Sequence, residues 1–291
     1  MEFVIKKEQE GLLRDFLRQQ LSLSNAEITR LKQKPNGITV NGEHQTVRYI
    51  LKHGDVLFLD INDSGTSENI VPTEMMLTVL FEDEHIIALD KPHGVPTHPS
   101  HGHFTDTLAN GLMYYFAQKG EQCLFRAVNR LDRETSGIVL CAKNALAASR
   151  LSDSMQKGLF EKTYFALLSG KIPDIGTVDE NIKRKEESVI FRCVCGKDEG
   201  KRAVTLYEKL SESGGYTLVK LTPVTGRTHQ LRVHMAHIGA PIVGDTLYGT
   251  NDGQGLMLHA GRLSFPHPVT GEKMCILSPV PERFKELYED I

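Results

Sequence analysis

The chain has 291 residues, of which 40% are hydrophobic and 24% are charged, and its formal net charge is −3. These values are ordinary for a folded protein that exceeds one average domain, so we expect one large domain and one small one. The longest apolar runs fall far below the roughly 18 residues of a membrane span, and the first residues lack the apolar core of a secretory signal. We therefore expect a cytoplasmic protein without a membrane partner, in which any contact with nucleic acid must use local basic clusters.

Residues 1–62 predict a small module of two helices and a sheet. Apolar residues recur at helical spacing in the first helix and are Leu13, Phe16, Leu17 and Leu21. Ser24 or Asn25 can cap a second helix, which Pro35-Asn36-Gly37 ends. The runs "ITVNG" and "LKHGDVLFL" then predict short strands joined by turns.

This module resembles an S4-type RNA-binding domain, both in its two helices and in the pair "VNG" and "HGD". The resemblance implies that basic side chains of the helices contact RNA phosphates. These side chains are Arg14, Arg18, Arg30, Lys32 and Lys34. The alternative is a solvated helical surface without a partner.

Residues 63–77 contain many polar residues and loop formers, which is typical of a linker. Residues 78–291 then predict one larger domain. Its first strands are "TVLFE" and "IIALD", "SGIVLCA" is a buried strand, and a helix capped by Asn144 carries an apolar stripe as far as Leu159. Because strands outnumber helices and mostly follow one another through turns, we expect an α+β fold with a mixed, largely antiparallel central sheet and flanking helices.

Asp132 stands in the segment "NRLDRETSG", at the entrance of a predicted strand. Loops at strand ends are usual places for reactive groups. A carboxylate that is partly removed from water needs a cation, and a guanidinium serves best through two parallel hydrogen bonds. From these residues alone, an ordinary loop salt bridge is the competing explanation.

A local basic patch follows in "LTPVTGRTHQLRVHMAHIGA", which contains Arg227, Arg232 and three histidines but no acid. Thr228 can cap a helix in this segment. The apolar stripe of that helix would be Leu231, Met235 and Ile238. Arg227 would then lie just before a helix N-terminus, where it could hold a phosphate or a distant carboxylate.

The three histidines of this patch, His229, His234 and His237, make a metal site conceivable. No H-E-x-x-H pattern and no carboxylate accompany them on the helix, so we expect polar surface or RNA contacts and no metal. The five cysteines are scattered without a C-x-x-C pair. Dinucleotide and triphosphate loop motifs do not occur either, and we expect no cofactor.

Lys162 and Tyr164 share one face of the predicted strand "KTYFALLSG". An aromatic ring that carries a phenol suits a pocket in which a flat base is stacked. A half-buried strand tyrosine without a functional role is the alternative.

Four segments together resemble the successive motifs of the RluA-type pseudouridine synthases, in their expected order. They are "NRLDRETSGIVLCAKN", "KTYFALLSGKI", "LTPVTGRTHQLRVHMAHIGAPIVGDTLYG" and "LHAGRLSFPHPVTGE". An S4 module often precedes this family's catalytic domain, so the two resemblances agree. One departure is Asn129, where many members have a histidine.

The resemblance implies an isomerase that detaches a uracil from its ribose, rotates it and reattaches it through carbon, without metal or cofactor. Asp132 would be the catalytic carboxylate, attacking either the sugar or the base, and Arg227 would be the arginine paired with it. Tyr164 would stack on the uracil and help to remove the proton from its C5. Arg130 would fill the space that the flipped nucleotide leaves.

The same resemblance implies a structured ribosomal or transfer RNA as partner, and we expect a monomer. Further RNA-contacting residues would be Asn129, Lys162, His229 and Arg232. Two other hypotheses stay open from the sequence: an RNA chaperone without turnover, and a metal-dependent hydrolase that uses the helix histidines. The motifs do not encode which uridine is modified, because RNA is recognised largely by its shape.

Overall fold

The computed structural model describes residues 1–285 apart from residues 22, 62–66, 68–69, 187, 189 and 251–252. Two sheets dominate this part of the chain, a small one near the N-terminus and a large one after it. No helix among the described residues is long and apolar enough to cross a membrane.

The N-terminal module folds around its own four-stranded sheet. Its elements are β1 (Glu2–Val4), β2 (Gly11–Leu12), α1 (Leu13–Asp15), α2 (Asn25–Gln33), β3 (Ile38–Val40), β4 (Glu43–His44), β5 (Ile50–Leu51) and β6 (Val56–Leu59). The sheet has the strand order β1-β6-β3-β4 with antiparallel pairs, and β2 pairs with β5. A π-helical stretch, Phe16–Gln20, continues α1.

Both helices predicted in this module are confirmed. All four predicted apolar residues of the first helix are buried. Ser24 caps α2, since its hydroxyl accepts a hydrogen bond from the Glu27 amide while the Glu27 carboxylate accepts one from the Ser24 amide. Leu146, from a helix of the larger domain, is buried in the same apolar cluster. The module therefore packs directly against the larger domain.

The larger domain is built on a ten-stranded sheet. Its elements are β7 (Thr78–Glu82), β8 (Ile86–Lys91), α3 (Leu108–Gln118), β9 (Ser136–Ala142), α4 (Ala145–Gln156), β10 (Glu161–Ser169), β11 (Ile175–Arg184), β12 (Arg192–Cys195), β13 (Lys201–Ser213), β14 (Tyr216–Pro223), α5 (Gln230–His237), β15 (Leu258–Pro266), β16 (Lys273–Leu277) and α6 (Glu282–Lys285). The strand order is β12-β11-β13-β14-β10-β15-β9-β8-β7, with β16 paired to β15. Because β9 and β15 are parallel and the other described pairs are antiparallel, the predicted α+β fold with a mixed, largely antiparallel sheet is confirmed.

The start of β9 fixes the end of the loop that carries Asp132. Gly137 has a φ of 109°, and a Cβ placed on it would lie 2.4 Å from the carbonyl oxygen of Ala260 on β15. Only glycine permits this approach of two backbones. All seven residues of β9 are buried, so the loop is anchored at one end to the centre of the sheet.

The segment predicted as a linker packs against α3 where the structure describes it. The Asn110 side-chain amide donates to the carbonyl of Val71 at 2.8 Å, and the Thr73 amide donates to the carbonyl of Asn110 at 3.2 Å. Residues 62–66 and 68–69 of that segment lie outside the described residues. The stretch that leads into β7 is thus an ordered part of the larger domain.

The helix that begins after Asn144 is shorter than its apolar pattern predicts. The Asn144 side chain caps α4 by accepting from the Ala147 amide at 2.9 Å, as expected. The helix ends at Gln156, and Gly158 has a φ of 73°. Leu159 therefore lies beyond the helix and is 52% exposed, so its predicted place in the buried stripe is wrong.

Candidate active site

One open cleft of about 440 Å³ collects every site residue that the sequence predicts in the larger domain. The loop before β9, the first half of β10 and the segment from the end of β14 into α5 line it. The predicted residues found there are Asn129, Arg130, Asp132, Lys162, Tyr164, Arg227, His229 and Arg232. Elements far apart in sequence thus place these side chains around one space.

A larger depression of about 730 Å³ lies elsewhere, beside the end of β7. Its charged side chains already pair with one another, since Glu82 bonds to Lys119 and Lys143 at 2.8 Å each. Burial raises the pKa of Glu82, but the hydrogen bonds from Lys119, Lys143 and Tyr115 outweigh it and hold that pKa at about 2. Because its charges are internally compensated, we take the cleft around Asp132 as the candidate active site instead.

Asp132 lies at the entrance to β9, as predicted, with about one third of its side chain exposed. Its loop is tied down from two sides. The hydroxyl of Thr97 donates to the carbonyl of Leu131 at 3.0 Å, and the amide of Thr135 donates to the carbonyl of Asp132 at 3.1 Å. The carboxylate is therefore held on a fixed backbone while it still faces the cleft.

Lys91 also fixes this loop, and the sequence analysis did not select this residue. This side chain is fully buried, and its Nζ donates to the carbonyls of Pro92, Val95 and Arg133 at 2.9, 2.6 and 2.9 Å. Burial lowers the pKa of Lys91 to about 7, whereas three carbonyl acceptors match the three donors of the charged ammonium. Lys91 thus links the end of β8 to the loop that carries Asp132.

Arg232 on α5 is the arginine that approaches Asp132. It is only 4% exposed, and its Nη1 lies 3.8 Å from Oδ2 of Asp132. Its Nε and Nη2 donate to the two carboxylate oxygens of Asp245 at 2.8 and 2.6 Å. The amides of Leu247 and Tyr248 also donate to Asp245. This bidentate pair fixes the guanidinium plane and so directs its remaining nitrogen toward Asp132.

The predicted pairing of Arg227 with Asp132 is wrong. Arg227 is exposed, and its Nε donates to the carbonyl of Arg202 at 3.0 Å. No ion pair joins Arg227 to Asp132 among the described residues. The reason is local geometry: Arg227 lies in the turn before α5, whereas Arg232 lies within the helix on its buried side. The sequence contains one signal for this buried ion pair. Asp245 is the first acidic residue after the acid-free basic segment, and an arginine that is buried in the segment needs such a partner.

His229 occupies the position before α5 that the sequence assigned to Thr228. Its φ of 57° is left-handed, and its side chain makes no capping bond. The Gln230 side chain accepts instead from the amide of Arg227 at 3.0 Å. The His229 ring turns into the cleft, with Nε2 3.8 Å from Oδ2 of Asp132. Burial lowers the pKa of His229, which favours the neutral ring.

Lys162 and Tyr164 both line the cleft from β10. A bulge between Thr163 and Tyr164 interrupts the pairing of β10 with β15, which is a common device beside active sites. Burial raises the pKa of the Tyr164 phenol, and the charge of Asp132 raises it further. Burial lowers the pKa of Lys162. At neutral pH the phenol is therefore protonated.

Asn129 and Arg130 differ in their accessibility. Asn129 is 8% exposed; its amide nitrogen donates to the carbonyl of Ile138 at 2.9 Å, and its oxygen accepts from the amide of Leu140 at 2.8 Å. The side chain thus braces β9 from a position on the cleft lining, and its predicted contact with RNA stays a prediction. Arg130 is exposed at the rim of the cleft.

The basic residues predicted in the N-terminal module lie mostly on its surface. Arg14, Arg18 and Lys32 are exposed, and Arg30 is half-buried. Arg14 lies 3.6 Å from Asp15, and Arg18 bonds to the Asn25 side chain.

Among the described residues, no group of three or more metal-ligating side chains lies together. His234 is fully buried, and its Nδ1 lies 2.9 Å from the hydroxyl of Thr205.

Comparison with known proteins identifies the class of protein that this fold and cleft define. The model of a family described as RNA pseudouridylate synthase matches residues 85–237, a range that includes Asp132, Tyr164 and Arg232. The match covers more than half of the chain, so the chain belongs to this family and is an RNA pseudouridine synthase.

Individual relatives and a solved structure agree with the family. The chain is 38% identical to "Uncharacterized RNA pseudouridine synthase YjbO" of Bacillus subtilis (strain 168), over 93% of this chain and 96% of that protein. It is 35% identical to "Ribosomal large subunit pseudouridine synthase D" of Pseudomonas aeruginosa, over 86% and 82% of the two chains. Its fold is similar to the solved structure of "Human RNA Pseudouridylate Synthase Domain Containing 1", with a TM-score of 0.61, 29% identity and coverage of 74% and 87%. The predicted RluA-type membership and fold are therefore confirmed.

Proposed function

We propose that this pseudouridine synthase modifies ribosomal RNA and that Asp132 is its catalytic carboxylate. The position of Asp132 in the cleft, 3.8 Å from the buried Arg232, is the observation that carries the assignment. The ribosomal target is supported by relatives named ribosomal large subunit pseudouridine synthase D in Pseudomonas aeruginosa and Borreliella burgdorferi, which are 35% and 33% identical.

The reaction is an isomerisation, so substrate and product contain the same atoms and no co-reactant is consumed. The bond from N1 of uracil to the ribose breaks, the base rotates, a bond from C5 to the ribose forms, and the proton of C5 is replaced by one on N1. Asp132 either attacks the sugar or base, or removes a proton from the sugar. Arg232 supplies positive charge beside the carboxylate, and its pairing with Asp245 prevents it from turning away.

Tyr164 and Arg130 act on the nucleotide that enters the cleft. The Tyr164 ring stacks on the flipped uracil, and its hydroxyl assists removal of the C5 proton. Because burial keeps that phenol protonated, it accepts a proton only as its own proton leaves. Arg130, exposed at the rim, occupies the space that the flipped nucleotide vacates in the RNA.

Residues 1–62 act as an RNA-binding module, residues 63–77 as a connection, and residues 78–291 as the catalytic domain. The exposed cations Arg14, Arg18 and Lys32 support this division, because phosphate contacts require accessible positive charge. The buried contact of Leu146 with the module supports a fixed position of the module on the catalytic domain.

Pseudouridine mapping tests the substrate class. We expect ribosomal RNA from cells that lack this protein to lose one or a few pseudouridines, while transfer RNA keeps its own. Loss confined to transfer RNA would refute the ribosomal target and leave the enzyme class intact.

Complementation of those cells tests the catalytic residue. Asp132→Asn keeps the shape of the side chain and removes its charge, so we expect pseudouridine formation to fall by at least about 10²-fold with RNA affinity retained. Asp174→Asn is the matched control, because Asp174 is 83% exposed and pairs with Lys209 outside the cleft. Full activity of Asp132→Asn would refute the assignment.

A further inference from the structure

Tyr248 stands beside the cleft without a role in the reaction described above. Its ring lies edge-to-face with Phe191 and with His229, with centroids 6.0 and 5.7 Å apart. The Arg232 guanidinium carbon lies 5.3 Å from the ring centroid. These contacts fix the direction in which the phenol hydroxyl points.

The hydroxyl of Tyr248 has two hydrogen-bond partners. The amide of Arg192, at the start of β12, lies 2.9 Å away, and Nδ1 of His229 lies 2.8 Å away. A backbone amide can only donate, so the phenol oxygen accepts from Arg192. The phenol carries a single hydrogen, and within the described part of the chain His229 is the acceptor available to it. A hydroxyl that uses this acceptor donates to Nδ1.

This bond decides where the proton of the His229 ring resides. In a neutral imidazole one nitrogen carries hydrogen and the other accepts. An Nδ1 that accepts from Tyr248 leaves the hydrogen on Nε2, the nitrogen that lies 3.8 Å from Oδ2 of Asp132. We propose that Tyr248 is a positioning residue that fixes His229 as the neutral tautomer whose Nε2–H faces Asp132, a role that rests on the proposed function of that carboxylate.

The tautomer determines whether the His229 ring attracts or repels the Asp132 carboxylate. With hydrogen on Nε2, the ring points an N–H dipole at the carboxylate, and a small movement on substrate binding makes it a hydrogen bond. With hydrogen on Nδ1, a nitrogen lone pair would face the carboxylate oxygen and repel it. Asp132 then has two partners of different kind, the charged Arg232 and a neutral donor.

The environment of His229 is consistent with a neutral ring. Asp132 and Asp245 favour its protonation, whereas burial and the cations Arg232 and Arg192 oppose it, and the pKa of His229 lies below its usual value. A neutral ring has two tautomers, and the hydrogen bond with Tyr248 favours one of them. Strand β12 contributes as well, because the amide of its first residue, Arg192, donates to the phenol oxygen of Tyr248.

A spectroscopic experiment tests the tautomer directly. The full-length protein is labelled with ¹⁵N in its histidine rings, and long-range proton–nitrogen couplings are recorded at neutral pH without RNA, with His229→Asn used to assign the signals. We expect the Nε2–H tautomer for His229 in the wild type, and a mixture or the Nδ1–H tautomer in Tyr248→Phe. An Nδ1–H or a charged ring in the wild type would overturn the proposal, as would an unchanged spectrum in Tyr248→Phe.

A kinetic experiment tests whether Tyr248 acts through His229. Single-turnover rates are measured on an unmodified large-subunit ribosomal RNA transcript for Tyr248→Phe, His229→Asn and the double variant. Asparagine is chosen because it tolerates the left-handed backbone of position 229. We expect Tyr248→Phe to slow the reaction about tenfold at saturating RNA, as loss of one directed hydrogen bond does, with unchanged RNA affinity. In the His229→Asn background the same change should have no further effect.

Tyr115→Phe is the matched control, because the Tyr115 hydroxyl bonds to Glu82 at 2.7 Å outside the cleft. Slowing by this variant equal to that of Tyr248→Phe would overturn the proposal, as would independent, multiplying effects in the double variant. If the wild type forms no pseudouridine in any transcript, the proposed substrate fails, while the histidine spectrum still decides the tautomer.

Discussion

Arg232 and Asp245 form a bidentate ion pair in which both side chains are almost completely buried, with hydrogen bonds of 2.8 and 2.6 Å. Removing one partner of such a pair leaves an uncompensated charge and lowers the free energy of unfolding by about 3–5 kcal/mol. We therefore expect Arg232→Met to be destabilised by that amount in urea unfolding, and pseudouridine formation to fall with it.

Lysine substitutions at Arg232 and Arg227 distinguish the roles of the two arginines in this motif. Lysine cannot reproduce the two parallel bonds to Asp245, so Arg232→Lys should lose both stability and activity. Arg227 is exposed, and Arg227→Lys should remain within about 0.5 kcal/mol of the wild type in stability. Equal destabilisation by the two variants would contradict the assignment of the buried pair to Arg232.

Lys91 controls the loop of Asp132 through its bond to the Arg133 carbonyl at 2.9 Å. Lys91→Met keeps the apolar stem and removes the donors, so buried carbonyls lose their partner, which costs about 1–3 kcal/mol each. We expect lower stability and a rate that falls more strongly than RNA affinity. Lys220→Met is the control, because Lys220 pairs with Glu208 on an exposed strand face. Wild-type turnover by Lys91→Met would show that the loop does not need this bond.

The N-terminal cations should contribute affinity rather than rate. Arg14 and Lys32 are exposed, and each phosphate contact contributes about 1 to the slope of log K against log salt. The double change to alanine should weaken RNA binding, reduce that slope by about two, and leave the rate at saturating RNA unchanged. Lys171 and Lys273, which are 81% and 67% exposed, provide the control pair. An unaltered slope would favour the solvated-surface alternative.

His259 gives the protein a defined pH dependence of stability. It is fully buried, with Nδ1 2.9 Å from the Ser136 hydroxyl and Nε2 3.0 Å from the Ser278 hydroxyl. Burial lowers the pKa of His259 to about 4. Between pH 4 and the usual value for histidine, the unfolded chain binds a proton that the folded protein excludes, so stability decreases as the pH falls through this window.

The expected contribution is about 3 kcal/mol across that window, at about 1.4 kcal/mol for each pH unit. Other buried histidines add slopes of the same sign, so urea unfolding of the wild type must be compared with His259→Gln at each pH. The difference between the two proteins should shrink toward pH 4. A constant difference across the window would contradict the neutral, buried state of His259.

The amino-acid sequence alone determined the local structure and the position of Asp132 within it. Helical spacing located the buried face of the first helix, Ser24 marked a helix start, and the loop–strand pattern placed Asp132 at the entrance of β9. These features depend on backbone preferences and side-chain periodicity within a few residues, which can be read along the chain. The family resemblance, carried by contiguous motifs, was accessible for the same reason.

Tertiary structure alone decided which side chains reach Asp132. Arg227 and Arg232 are five residues apart in one motif, and only the packing of α5 against Asp245 buries the second and leaves the first outside. Lys91 and Tyr248 approach the site from β8 and from the turn after Asp245, and nothing in their local sequence marks them. Hydrogen bonds across such separations depend on the relative placement of strands and helices, which local periodicity does not encode.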